Sequence, residues 1–240
     1  MPRGLPEKVA PMKPLLAALA LGAATLPASA FAASPVSAPV AEGDLQKLVA
    51  LMAPEDSIGR IAGRAFDLGM DQQLAADPKM KATYDANPGL REQVGGQLRG
   101  QFTRILVGAL PSLRGEIETI LKAELTPGEI ADTLTFFASP TGQKVRAEVY
   151  EAMGNAPGQS PQEMQQAAMA AVMAKMTPED YPALMAFAGS TASQKMGSLN
   201  PKIAAASQAW ALKLVAANRP QMEGFATRAV ADYLAKKKGG

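Results

Sequence analysis

Leu125-Thr126-Pro127-Gly128-Glu129, running through Phe136-Phe137-Ala138 into Ser139-Pro140-Thr141-Gly142-Gln143-Lys144, holds two helix starts in succession. In each, a hydroxyl side chain stands immediately before a proline. The hydroxyl oxygen accepts a hydrogen bond from an amide that would otherwise be orphaned, and proline at the first helical position has no amide to orphan. Glu129 falls three residues after Thr126, where its carboxylate reaches back to complete a capping box. The same landmarks recur at a constant offset: Met176-Thr177-Pro178-Glu179-Asp180 leads through Phe187 to Ser190 and Gln194-Lys195. Such self-similarity reads as an internal repeat of one helical unit.

The punctuation extends beyond the repeat. Asn87-Pro88, Ser160-Pro161 and Asn200-Pro201 have the same form, and Glu163 completes a second box behind Ser160. Six such starts leave little room for strands. Apolar spacing in steps of three and four agrees. Ile58, Ile61, Ala62, Ala65 and Phe66 share one face behind Pro54; Leu90, Val94, Leu98, Phe102, Ile105 and Ala109 share another. Leu113, Ile117, Ile120 and Leu121 form a third, and Val145, Val149, Ala152 and Met153 a fourth, with Gly154 read as a C-terminal stop. Gly59 with Gly63, and Gly96 with Gly100, are spaced to let helices approach closely. The predicted fold is an all-α bundle of about eight to ten short helices built from a duplicated helical unit.

The intact phrase resembles a large family of secreted proteins from Gram-negative bacteria, known as a domain of unknown function (DUF family 2059). Its hallmark is an aromatic pair followed by Ser-Pro-x-Gly-x-Lys, behind a Thr-x-x-Glu helix start. Here those positions are Thr126, Pro127, Glu129, Phe136, Phe137, Ser139, Pro140, Gly142 and Lys144. The resemblance covers Asp44 to Lys144 and is strongest from Leu125. In the second copy Thr191 stands in place of the proline, Ser193 of the glycine and Ala188 of one aromatic, as in a degenerate duplicate. The resemblance implies an all-helical envelope protein and brings no activity with it.

The N-terminal stretch reads as a targeting signal. Lys13 supplies the positive start, Leu15 to Leu26 a short apolar run, and Ala28-Ser29-Ala30 or Ala30-Phe31-Ala32 a small-x-small cleavage site. Met12 offers an alternative start to Met1. The run is shorter than the roughly 20 residues that span a bilayer. Residues 1–32 are therefore read as a signal peptide removed near Ala30 to Ala33, and 33–43 as a flexible leader. Residues 44–154 form the unit with the intact motif, 155–160 a linker, and 161–238 a degenerate repeat packed on the first. The expected location is periplasmic or secreted. Residues 1–32 carry Arg3, Lys8 and Lys13 against Glu7, so the chain's net +2 belongs to the signal and the remainder is close to neutral. That balance, with a short basic end at Lys236-Lys237-Lys238, gives no reason to expect nucleic acid.

Cysteine and histidine are both absent. Disulfides, thiolate nucleophiles and thiolate or imidazole metal sites are excluded with them. What is left for chemistry is sparse. Ser139 with Lys144 has the residue types of a serine–lysine dyad; Glu116 with Glu118, Glu148 with Glu151, and Glu179 with Asp180 are carboxylate pairs. Capping, surface charge and helix-dipole matching account for all of them more simply. Met164, Met169, Met173 and Met176, with Met185 beyond, recur at helical steps. Thioethers are soft ligands for Cu(I), but methionine is also an adaptable core filler.

These residues predict no catalytic, cofactor-binding or metal-ligating site. The function expected is that of an exported, non-catalytic envelope protein binding a protein partner or an apolar ligand. Met164, Met169, Met173, Ile203, Trp210 and Leu214 are the candidate surface. A carboxylate- or serine-dependent hydrolase, and methionine-based copper binding, are the alternatives.

Overall fold

The computed structural model describes residues 42–87, 89–155 and 161–239. Among these residues the chain is all-α, with no strand. Ten helices follow in order: α1 (Glu42–Met52), α2 (Glu55–Ala76), α3 (Pro78–Asp85), α4 (Gly96–Gly108), α5 (Leu110–Glu124), α6 (Pro127–Ala138), α7 (Pro140–Asn155), α8 (Pro161–Lys175), α9 (Tyr181–Ala188) and α10 (Thr191–Gly239). Residues 1–41, which hold the expected signal and most of the expected leader, Pro88 and residues 156–160 lie outside the described residues, and so does the cap expected at Ser160.

The expected faces are the buried ones. Ile58, Ala62 and Phe66 of α2 pack towards α4, where Phe66 lies 5.8 Å from Phe102 between ring centroids. Leu90, Val94, Leu98, Phe102, Leu106 and Leu110 recur every fourth residue, and all are buried. A step of four overshoots the 3.6-residue turn, so a straight α-helix would rotate this stripe away from the core. A π-helical turn at Arg91–Gly95 opens α4 and takes up part of the excess. Leu106, not Ile105, therefore continues the face, and Ile105 is only partly buried. The chain enters this turn through Gly89, whose φ of 87° is left-handed and suits glycine.

Three start and stop signals resolve differently from expectation. Asn87 does not cap the following helix; its side-chain amide donates back to the Thr83 carbonyl at 2.8 Å, closing α3. The cap that opens α3 is Asp77 before Pro78, accepting from the amides of Lys79 and Met80. Gly154 does not stop α7, which runs to Asn155. A β-carbon on Gly154 would lie 2.5 Å from Nη1 of Arg64, so close passage of that side chain is what glycine permits there. Pro201 does not begin a helix, because α10 continues through both Pro201 and Pro220. The buried stripe Met196, Leu199, Ile203, Ser207 and Trp210 passes through Pro201 unbroken. Keeping that stripe in the core outweighs the roughly 3 kcal/mol that an interior proline costs. At 49 residues α10 is also no short helix.

Gly59 and Gly63 do face α4, Gly59 towards Thr103 and Val107 and Gly63 towards Arg99, whereas Gly96 and Gly100 have open space beside them. One hydrophobic core runs through both halves of the chain. Leu48, Leu113 and Leu121 on the N-terminal side and Leu199, Ile203 and Trp210 on the C-terminal side belong to it. The long α10 makes this possible by packing on α4, α5 and α6. Among the described residues no helix is long and apolar enough to cross a membrane.

Candidate functional site

The capping box at the start of α6 forms as its sequence demands. Glu129 accepts from the Thr126 amide at 2.7 Å and from its hydroxyl at 2.9 Å, while Thr126 Oγ1 accepts from the Glu129 amide at 3.4 Å. Asp180 does the corresponding work at Thr177, accepting from the amide and the hydroxyl, both at 2.9 Å. There the helix itself starts later, at Tyr181. Pro182 has no amide to give the Pro178 carbonyl, so the first turn cannot be α-helical; Ala131 stands at the matching offset behind Thr126. Ser139 and Ser190 cap alike. Each accepts from the amide three residues on, at 3.1 Å, and each donates to a phenylalanine carbonyl, at 2.7 Å.

The two segments then exchange partners. Lys144 reaches Asp180, and Lys195 reaches Glu129 at 2.7 Å. Each motif's lysine thus neutralises the capping carboxylate of the other, a reciprocity of the kind a twofold axis produces. Phe136 and Phe187, at the same offset behind Thr126 and Thr177, stack on each other with centroids 4.2 Å apart and planes within 2°. Phe137 completes the aromatic group, 5.4 Å from Phe136 and 5.9 Å from Phe187. Lys144 is therefore only partly exposed. Its amine pairs with Asp180, while the Ser139 hydroxyl is spent on the Phe136 carbonyl.

Both carboxyls are more acidic than usual. Burial pushes Glu129 up, but the hydrogen bonds from Lys195 and Thr126 outweigh it and hold the group below the ordinary range. For Asp180 the Lys144 hydrogen bond dominates, and Thr177 and Thr141 add to it; its carboxyl lies well below the ordinary range. A pKa depressed on folding contributes stability that is complete above the unfolded value and is lost as pH falls through the folded one. Urea midpoints are thus expected to drop as pH falls below about 4. In a Lys144→Met, Lys195→Met variant the midpoint should already be lower at neutral pH, and the two curves should converge in acid. Parallel curves would mean that the cross-pairs do not set the acid limb.

Beside the aromatic group lies a cavity of about 140 Å³. Phe136, Phe137 and Phe187 form one part of its wall, and Met52, Met153, Met169 and Met196 stand around it with Val172, Leu184 and Ile203. Seven helices contribute (α1 and α5 to α10), so the cavity belongs to the junction and not to either motif alone. Ser193 and Asn200 of α10 also line it, and two further polar side chains, Arg146 and Tyr150, meet the end of α1. The carbonyls at and just past the end of that helix are taken up by side chains: Leu51 by Arg146 at 3.1 Å, Met52 by the Tyr150 hydroxyl, and Ala53 by Arg114 at 2.8 Å. Burial pushes the Tyr150 phenol far above its usual pKa, so it is neutral. Arg146 Nε is buried with no hydrogen-bond partner.

The residues singled out in the sequence divide among different surroundings. Met164 is buried in α8, Met169 stands on the cavity wall and Met173 is 47% exposed. The three do not form one methionine face, because steps of five and four residues carry them around the helix. Ile203 lines the cavity. Trp210 is no surface residue: it lies in the core, with its indole N–H donating to Ser112 Oγ at 2.8 Å. Leu214 borders a second, smaller cavity of about 40 Å³ with Phe102, Leu106 and Met222. Of the carboxylate pairs, Glu151 lies 3.9 Å from Arg64, and Asp180 is engaged as described. Among the described residues no cluster of three or more acidic side chains is placed to hold a metal ion. Arg146 and Tyr150 went unnoticed in the sequence, since nothing in the spacing of α7 announces that they reach the end of α1.

Residues 111–179 match the model of a family described as an uncharacterized protein conserved in bacteria (DUF2059). The match begins at the start of α5 and not at Asp44, and it extends past Lys144 through α8. It includes Phe136, Phe137, Arg146, Tyr150, Met169 and Val172 of the cavity wall. No curated protein and no solved structure matches the chain.

Proposed function

We propose that this chain is an exported, non-catalytic binding protein, built from two copies of one helical unit, that holds a small apolar ligand at the junction of the copies. The observation that carries this reading is the cavity beside the Phe136–Phe187 stack. Four aromatic rings and four thioethers stand in its wall among aliphatic side chains, and methionine suits a site that must adapt to its occupant. An apolar cavity of roughly 150 Å³ is enough for a guest the size of benzene. Export is supported by the signal-like character of the first 32 residues, and the lack of a catalytic role by the commitment of Ser139, Lys144 and Asp180 to capping and cross-pairing.

The test uses hexan-1-ol as probe. Ligand that binds only the folded state raises the melting temperature, by an amount that grows with concentration. Wild type should show this shift. Val172→Phe, which puts a ring into the cavity from a buried position, should fold and show none. Absence of any shift in the wild type sinks the proposal. A second reading places a protein partner on the outside: Tyr181 and Met185, one turn apart on α9, are 43% and 65% exposed. That reading predicts that Val172→Phe leaves function intact.

A further inference from the structure

We propose that the ligand is an anionic amphiphile, a short chain or ring bearing a carboxylate, and that Arg146 of α7 recognises its head. The inference rests on the cavity reading above and adds the chemistry of the occupant.

Arg146 stands on the wall of the cavity, to which Val145 and Val149 of the same helix also contribute. A guanidinium remains charged in a protein and offers five N–H donors in a planar fork. Of these, the structure commits Nη1 to the Leu51 carbonyl. The Nε–H is buried and has no acceptor. Ion pairs among the described residues engage Arg64, Arg91, Arg99 and Arg219, and none engages Arg146. Tyr150 is close but its phenol is neutral, so it does not balance the charge. The end of the α1 dipole offers only about half a charge.

Arg146 as a whole is partly buried, but its Nε–H is buried without an acceptor and no ion pair faces it, an arrangement that is costly unless something answers it. Burial accordingly pushes the Arg146 pKa down. A carboxylate answers both deficits at once, since it accepts from two N–H groups of the fork and brings a full negative charge. The rest of the cavity wall is nearly all apolar, which leaves a hydrocarbon body as the other part of the ligand. The size again limits that body to about six carbons.

Titration calorimetry with three probes of one length tests this: hexanoate, hexan-1-ol and hexylammonium, each on the wild-type chain. Hexanoate is expected to bind at least about tenfold tighter than hexan-1-ol, as a charge-assisted hydrogen bond commonly provides, and hexylammonium should not bind. In Arg146→Met the hexanoate preference should vanish while hexan-1-ol still binds. Should that variant fail to fold without the Leu51 contact, the three wild-type isotherms decide the matter alone. Hexan-1-ol binding as tightly as hexanoate overturns the anionic head and leaves the apolar cavity standing. Failure of all three probes overturns the cavity reading, and this inference with it.

Discussion

Gly142→Ala is expected to destabilise the protein by about 3 kcal/mol or more, lowering the melting temperature by roughly 10 °C. In an ordinary helix the same exchange stabilises by up to about 1 kcal/mol. Gly142 lies in the first turn of α7, directly under the end of α6. A β-carbon there would come within 2.0 Å of the Phe136 carbonyl oxygen, 2.7 Å of its carbon and 2.8 Å of Phe137 Cα. All three are backbone atoms, so no side-chain rotation relieves the clash. The two helices would have to separate, and the aromatic pair on α6 and Lys144 on α7 would move with them. Gly100→Ala in α4, where no atom lies within 4 Å of the added carbon, is the matched control and should gain stability. Thermal melts of the pair check the argument. Equal effects would show that the tight turn between α6 and α7 does not depend on glycine.

Phe136→Ala should cost about 3–5 kcal/mol, the usual range for removing a buried aromatic ring. Phe136 is 8% exposed, stacks on Phe187 and contacts Phe137. The size of the loss alone says only that the residue is buried. A double-mutant cycle with Phe187 carries the stronger claim. If the rings join the two segments, truncating both should cost less than the sum of the single changes, by about 0.5–1.5 kcal/mol. Additive losses would mean that each ring serves its own half of the chain. Urea unfolding of the four proteins measures the coupling.

The helical elements were legible in the sequence because capping and amphipathic spacing are local properties. Thr126 and Ser139 cap as their neighbours dictate, and the faces of α2, α4 and α5 lie where their apolar residues recur. Misreadings arose where a tertiary preference overrode a local signal. Asn200-Pro201 has the form of a helix start, yet the stripe from Met196 to Trp210 keeps the chain helical through it. Thr177-Pro178 has that form too, and Pro182 delays the α-helix to Tyr181. The site was less legible than the fold. Spacing identifies Lys144 and Lys195 as equivalent, but not that each would find the other's carboxylate. In α8, alanines on every side leave no single stripe, so nothing local distinguishes Met169 at the cavity from Met173 in solvent. Arg146 and Tyr150 carry no pattern at all, because their role depends on where α1 ends.

The methionine methyl groups offer the most direct view of the cavity. Met52, Met153, Met169 and Met196 line it, while Met173 and Met185 are exposed elsewhere. Methyl-labelled methionine spectra recorded during addition of hexan-1-ol should show the four lining signals moving together and saturating, with Met173 and Met185 unmoved. Unchanged lining signals, or a response confined to Met173 and Met185, would contradict an occupied cavity at the junction.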